Sequence, residues 1–266
     1  MNKTAKIIAL MNNKGGVLKT TIATNLASLF ALNNRKVLLI DLDSQANVSL
    51  SFGINPDQFK ETISEVLMNN IDINRAIQSK IVPGLNLDIL PANNKLNNFV
   101  KNQPAQNKNM LQKVIQKILH RYDFIIIDSS PHLDLLTENI IVASNEILIP
   151  VQMELLAARG LINLINKINE LNGNIKAIIP TLFDTRTIIH NDILKQITEI
   201  AQKINIKVTD TKITKSIKAA NANAYHKVPL ALMATKGKSI NQYLSIAEEL
   251  NYGIKAVNDE KTARIF

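Results

Sequence analysis

The sequence predicts an α/β fold: a doubly wound, mainly parallel sheet flanked by helices on both faces. Three observations carry this expectation. Short apolar runs recur at 6–11, 36–42, 86–90, 124–128, 146–151 and 175–181, and helical periodicity falls between them. Several runs are continuously apolar, as in Val37-Leu38-Leu39-Ile40, Ile125-Ile126-Ile127 and Ile147-Leu148-Ile149. Strands of that kind are expected where helices cover both sheet faces. The 266 residues, 46% of them hydrophobic, can bury one sizeable core, so a single domain over 1–266 suffices.

Taken in order, the run Ile7-Ile8-Ala9-Leu10-Met11 opens the chain as a strand, and a helix is expected over 20–33 after a Gly-Gly turn. Strand 36–42 follows, then helical spacing at 57–69 and strand 86–90. Segment 92–109 is polar and rich in Asn and Lys and reads as loop, with a helix near 106–120. Strand 124–128 leads to helix 134–144, strand 146–151 to helix 155–172, and strand 175–181 to helix 188–204. A last helix is expected over 238–251, and 251–266 reads as a mobile tail.

Composition removes several classes. There is no cysteine, which excludes disulfides, thiolate zinc sites and iron–sulfur ligation. No apolar run approaches the roughly 18 residues that span a bilayer, and the opening residues carry no signal-peptide pattern, so a cytoplasmic protein is expected. The net charge of +9 points to a polyanionic partner. Eight lysines lie between Lys203 and Lys238, with Asp210 the only acid in that stretch. A solvated lysine-rich surface would read the same way. Aromatics make up 4% and tryptophan is absent, which argues against base stacking and for contacts to duplex phosphates.

The most specific pattern is Asn13-Lys14-Gly15-Gly16-Val17-Leu18-Lys19-Thr20-Thr21, set between the first strand and its helix. Strand, glycine-rich turn, then Lys-Thr opening a helix is the arrangement that cradles phosphates. Glycines let backbone N–H groups converge on phosphate oxygens, and the helix N-terminus adds partial positive charge. An incidental Gly-Gly turn is the plain alternative. Leu18 stands where the motif calls for glycine; it crowds the phosphates or costs on the order of 1–3 kcal/mol in backbone strain. Strand 36–42 ends in Asp41-Leu42-Asp43, and strand 124–128 delivers Asp128 at its end. Carboxylates at strand ends line the ligand crevice of such sheets and suit Mg²⁺, an oxygen-seeking ion held by few carboxylates plus phosphates and waters. An Asx-turn closing a strand is the plain reading of the first pair.

With Lys14 ahead of the glycines, the loop resembles the deviant Walker A box, KGGxGK[ST]T, of the ParA/MinD ATPases. Asp41-Leu42-Asp43-Ser44-Gln45-Ala46-Asn47 resembles the family's DxDPQ-N box, with Ser44 where proline is usual. Tyr122 to Pro131 resembles its Walker B strand, Pro150-Val151-Gln152-Met153-Glu154 with Arg159-Gly160-Leu161 its PVQxE…GL segment, and Pro180 to Thr187 its TxYDxRT segment. The resemblance covers roughly 6–250, in order, and is closest to the small Soj-type partition ATPases.

It implies ATP and Mg²⁺ bound by Lys14, Gly15, Gly16, Val17, Leu18, Lys19, Thr20 and Thr21. Lys14 would reach a partner subunit's nucleotide, Lys19 the β/γ-phosphates, and Thr20, Asp41 and Asp128 the metal, while Asp43 orients the attacking water. It further implies a homodimer on ATP binding, non-specific duplex DNA held by Arg186, Lys215 and Lys218, a ParB-type centromere-binding partner, and nucleoid association without membrane binding. Neither an N-terminal helix-turn-helix region ahead of the loop nor the short membrane-targeting C-terminal helix of MinD proteins is expected. Two alternatives stand beside this: a nucleotide-defective DNA-binding scaffold in which Leu18 blocks the loop, and a MinD-like membrane-cycling ATPase.

Overall fold

Parallel strands form the central sheet: β1 (Lys6–Leu10), β2 (Val37–Leu42), β3 (Leu87–Leu90), β4 (Phe124–Ser129), β5 (Glu146–Gln152), β6 (Ile175–Phe183) and β7 (Ile213–Thr214). They lie in the order β3-β2-β4-β1-β5-β6-β7, every neighbouring pair parallel. The computed structural model describes residues 4–68, 71–102, 104, 106–216, 227–233 and 238–256. Among these, the helices are α1 (Lys19–Leu32), α2 (Asn47–Ser51), α3 (Ile63–Leu67), α4 (Ile73–Ala76), α5 (Leu96–Asn102), α6 (Met110–Gln116), α7 (Leu135–Ala143), α8 (Ala157–Glu170), α9 (Ile188–Lys203), α10 (Leu230–Met233) and α11 (Lys238–Glu249).

The continuous apolar strands divide their side chains between two cores, as the two-residue period of a strand requires. Ile7, Ala9, Leu38, Ile40, Ile125 and Ile127 pack under α3 to α9. Ile8, Leu10, Val37, Leu39, Ile126 and Leu148 pack under α1, α10 and α11. Helix α1 lies between the sheet and the two C-terminal helices, which is why almost its whole circumference is buried. The buried Asn25 side chain accepts the Ala231 backbone N–H at 2.8 Å and fixes α10 against it.

Besides the short elements α2, α4, β7 and α10, which no expectation covered, the structure departs from the sequence expectations in three places. The segment expected as loop over 92–109 contains α5, anchored by Leu96 and Phe99, an i,i+3 apolar pair hidden in an Asn-rich stretch. The helix expected over 57–69 is a 3₁₀ turn, Pro56–Gln58, followed by α3. Thr62 starts α3 by a capping box with Glu65, whose carboxylate accepts the Thr62 backbone N–H at 2.9 Å. Residues 251–256, expected as part of a mobile tail, are strapped to the body. Tyr252 and Ile254 are buried, the Tyr252 hydroxyl donates to Glu146 Oε2 at 3.0 Å, and Asn33 exchanges two hydrogen bonds with the Lys255 backbone. Residues 257–266 lie outside the described residues.

The turn between α8 and β6 leaves no room for a larger residue at Gly173. An added Cβ there would lie 2.7 Å from the Cγ2 atoms of both Ile141 and Ile168. Gly173→Ala is expected to destabilise the fold by about 1–3 kcal/mol through overpacking. A lowered urea midpoint at unchanged slope checks it.

Candidate nucleotide and metal site

At the carboxyl ends of β1, β2 and β4 a cavity of about 440 Å³ opens toward solvent. Its floor is the turn after β1, with Gly15, Gly16 and Leu18, and the first turn of α1, with Lys19, Thr20 and Thr21. Asp43 and α2 form one wall and Ser129 another. The first N–H groups of a helix have no intrahelical acceptor, so the start of α1 presents donors and partial positive charge to whatever occupies this space. Gly16 has φ +77° and nothing within 4 Å of a would-be Cβ, so backbone rather than side chain faces the cavity there.

Leu18 is the N-cap of α1 and adopts φ 70°, ψ 24°, the left-handed region that a glycine would take without cost. Its side chain packs on the core beneath α1 and also borders the cavity.

Lys19 is buried to 7% exposure and donates its ammonium to the carbonyls of Asn12 at 3.0 Å and Lys14 at 2.8 Å. Thr20 Oγ1 donates to Asp128 Oδ2 at 2.6 Å. Asp41 and Asp128 are register partners on adjacent strands, both wholly buried behind the cavity wall. Asp41 turns its oxygens onto the loop that follows β2, accepting the backbone N–H groups of Asp43 at 3.0 Å and Val48 at 3.1 Å. Asp43 itself lines the cavity and accepts the Gln45 N–H at 2.9 Å.

Burial dominates the electrostatics. It pushes Asp128 up to about 7, opposed by the Thr20 hydrogen bond and the Lys19 charge and reinforced by Asp43. Burial, and then the charge of Asp128, hold Asp41 well above the usual carboxylate range. Burial lowers the Lys19 ammonium against the pull of Asp128 and Asp43. Asp128 Oδ1 is buried and meets no donor among the described residues. An orphaned carboxylate oxygen beside a threonine hydroxyl fits the hydration shell of a Mg²⁺ ion. Among the described residues, no three His, Cys, Asp or Glu side chains form a metal cage of their own, so such an ion would draw its remaining ligands from phosphate and water.

Lys14 is not on this cavity wall. It pairs with Glu154 of the same chain, beside a small cleft between the glycine turn and the start of α8. Asn12 supports the turn, donating to the Pro150 carbonyl at 2.6 Å and accepting the Lys14 N–H at 2.9 Å. Sequence reasoning missed Asn12, Leu50, Ser51 and Ser129 as parts of the site; Asn12 alone carried a signal, its place between strand and glycine turn. Arg186 and Lys215 follow the carboxyl ends of the paired strands β6 and β7. Lys215 is exposed, whereas Arg186 makes a two-pronged bond to Asp184, at 2.9 and 2.7 Å, which holds that carboxyl well below the usual range. Lys218 lies outside the described residues.

A family profile described as an AAA domain matches residues 5–181. A "ParA family protein" of Mycoplasma pneumoniae is 35% identical, over 92% of this chain and 96% of its own length. A crystal structure of a putative plasmid partition protein from Borrelia burgdorferi bound to AMPPNP superposes with a TM-score of 0.78 at 29% identity, over 94% of this chain and 100% of that one. A cobyrinic acid a,c-diamide synthase from Mycobacterium smegmatis, with a bound ATP analogue and magnesium, gives 0.72 at 29% identity, over 86% and 94%.

Two tests follow from the geometry. Leu18→Gly is expected to change stability by less than about 1 kcal/mol, because relief of left-handed strain offsets the added chain entropy and lost packing, whereas the β-branched Leu18→Val is expected to cost about 1–2 kcal/mol. Chemical denaturation of both variants checks this. For Asp128 the folded value of about 7 lies above the ordinary carboxylate value near 3.8. Its contribution to stability is therefore fully present below the lower value and lost as pH rises through the upper one. The unliganded protein is expected to gain stability from this group between pH 8 and 5. Asp128→Asn should flatten that gain and raise the melting temperature at pH 8, as read by thermal unfolding across pH.

Proposed function

The chain belongs to the ParA family, and on that premise we propose that it is an ATP- and Mg²⁺-dependent ATPase of chromosome or plasmid partition. The observation that carries the reading is that Lys19, Thr20 and Asp43 line one cavity at the start of α1, with Asp128 directly behind its wall and bonded to Thr20. Lys19 and the N–H groups of the turn would hold the β- and γ-phosphates, and Thr20 with Asp128 would hold the Mg²⁺ shell, with Asp41 bracing the loop that carries Asp43. Mg²⁺ supplies charge neutralisation on the phosphates. Asp43, the acid on the cavity wall, would orient the attacking water.

Support for nucleotide binding despite Leu18 is that the cavity retains about 440 Å³ with the leucine in place. The partition reading is supported by a relative that shares nearly the whole chain, the putative plasmid partition protein of Borrelia burgdorferi crystallised with an ATP analogue. The diamide synthase shares the frame, so frame alone does not choose the activity.

The further steps rest on family likeness. Two subunits close on ATP with Lys14 acting across the interface, which requires it to leave Glu154. Leu155 and Leu156, 73% and 79% exposed at the start of α8, support that face as one covered by a second copy. The closed dimer binds duplex DNA on the nucleoid without sequence preference through its lysine-rich surface, and a ParB-type partner stimulates hydrolysis. Among the described residues, no helix is long and apolar enough to cross a membrane.

Asp43→Ala is the decisive variant. It should retain binding of a fluorescent ATP analogue and of duplex DNA, while stimulated hydrolysis falls by about 10² or more. Unchanged phosphate release would remove Asp43 from its role; failure of the unsubstituted chain to bind the analogue would remove the ATPase reading altogether.

A further inference from the structure

At the edge of the sheet opposite the nucleotide cavity, the amino-terminal ends of β3, β2 and β4 frame a second open cavity of about 340 Å³. Lys36 directly precedes β2, Arg121 lies shortly before β4, and Lys80 comes from the turn that follows the Gln78–Ile89 bridge. One carboxylate, Asp88, lines the cavity with them, and both of its oxygens are engaged. The Lys80 backbone N–H donates to Oδ1 and the Tyr122 hydroxyl to Oδ2, each at 2.8 Å. A neighbouring acid, Asp123, accepts the Lys36 backbone N–H at 2.8 Å. Arg121 sits 5.4 Å from the Tyr122 ring centroid and reaches Asn74. Lys36 and Lys80 are exposed, and among the described residues neither ammonium is held by a carboxylate.

We propose that this groove is a second contact surface for the phosphate backbone of duplex DNA, with Lys36, Lys80 and Arg121 as its phosphate contacts. The inference rests on the duplex-binding reading above and adds a surface outside the lysine-rich segment 203–238.

The lining selects the occupant. Tyr122 is buried, and the remaining wall is charged or polar, with Ser79 and Asn86 as neutral donors. Nothing there offers a platform for a base, which disfavours single strands and free nucleotides. Among the described residues the exposed large apolar side chains lie elsewhere, so the groove lacks the side chains that insert into an anionic membrane. Cations with neutral donors on an open polar groove are what sequence-independent backbone contact uses. Strands of four to six residues separate this edge from the nucleotide cavity. At a rise of roughly 3.3 Å per residue that is about 13–20 Å, so both edges can be occupied at once.

The test compares the full chain with Lys36→Ala/Lys80→Ala and Lys36→Arg/Lys80→Arg, each with Mg-ATP, by anisotropy of a labelled random-sequence duplex across NaCl concentrations. The alanine pair is expected to bind at least about tenfold more weakly at low salt and to flatten the log–log salt slope by about 1.8, roughly 0.9 per lost contact. ATP-analogue binding, at the other edge, should stay unchanged, and the arginine pair should bind DNA as the unsubstituted chain does. An unchanged slope in the alanine pair overturns the groove while leaving the duplex-binding reading intact. So does an arginine pair as weak as the alanine pair, or an alanine pair that loses binding only to phosphatidylglycerol vesicles. If the unsubstituted chain binds no duplex, the duplex-binding reading fails and the groove fails with it.

Discussion

Two carboxylates buried side by side, Asp41 at the end of β2 and Asp128 at the end of β4, constrain the rest of the site. Burial of ionised groups is costly unless they are paired or neutralised. The surrounding structure meets that cost in three ways: the loop after β2 folds back to donate two N–H groups to Asp41, Thr20 donates to Asp128, and Lys19 is drawn in near Asp128. The first fixes where Asp43 stands. The second ties the start of α1 to the sheet. The third buries a lysine in the mouth of the glycine turn. Even so, Asp128 remains raised to about 7 with one oxygen unpartnered, so the protein without its ligands carries an electrostatic debt that a divalent cation removes.

The parallel sheet makes that arrangement possible. Both its faces are covered, so only its edges are open, and the strand ends at the carboxyl edge are where side chains reach solvent. Leu18 sits at the junction of the two demands. Its backbone takes the glycine conformation that the turn into α1 requires, while its side chain packs on the second core. A left-handed leucine costs about 1–2 kcal/mol, and burial of part of the same side chain returns a comparable amount. The backbone path of the turn is thus kept without the glycine.

Much of this was legible because it is written in contiguous residues. Val37 to Ile40 and Ile125 to Ile127 announce strands covered on both faces, and Lys14 to Thr21 announces the turn. What stayed illegible depends on partners far away in the chain. Residues 251–256 look like a polar tail until Tyr252 meets Phe30 and Phe124, with ring centroids 5.6 and 6.2 Å away, and Glu146. Helix α2 has a single turn and no capping side chain, so no periodicity marks it, although Leu50 and Ser51 from it border the cavity. The charge count between Lys203 and Lys238 found no acid but Asp210, yet Glu249, from α11, pairs with Lys207 at 3.1 Å and accepts the Asp210 N–H. A linear sequence records charges but not their neutralisation.

The same distinction decides how much the visible ion pairs matter. Lys14 pairs with Glu154, and Arg186 with Asp184, in ways that would place both cations out of action if the pairs were strong. Their exposure says otherwise. The side chains of Lys14 and Glu154 are 44% and 35% exposed, and that of Arg186 is 87% exposed. Pairs so open to solvent contribute about 0–1 kcal/mol and weaken further with salt. Phosphate oxygens can displace such carboxylates, because the exposed pair is worth little to begin with and nucleic acid releases counterions on binding. Glu154 and Asp184 therefore hold their partners in place without locking them. The buried pair of aspartates, by contrast, cannot let go: removing Thr20 takes away a buried donor and removing Lys19 a compensating charge, and neither loss is made good by water inside the protein. The rigid part of the site is the one proposed to hold the metal and phosphates, and the exchangeable part is the one that reaches outward.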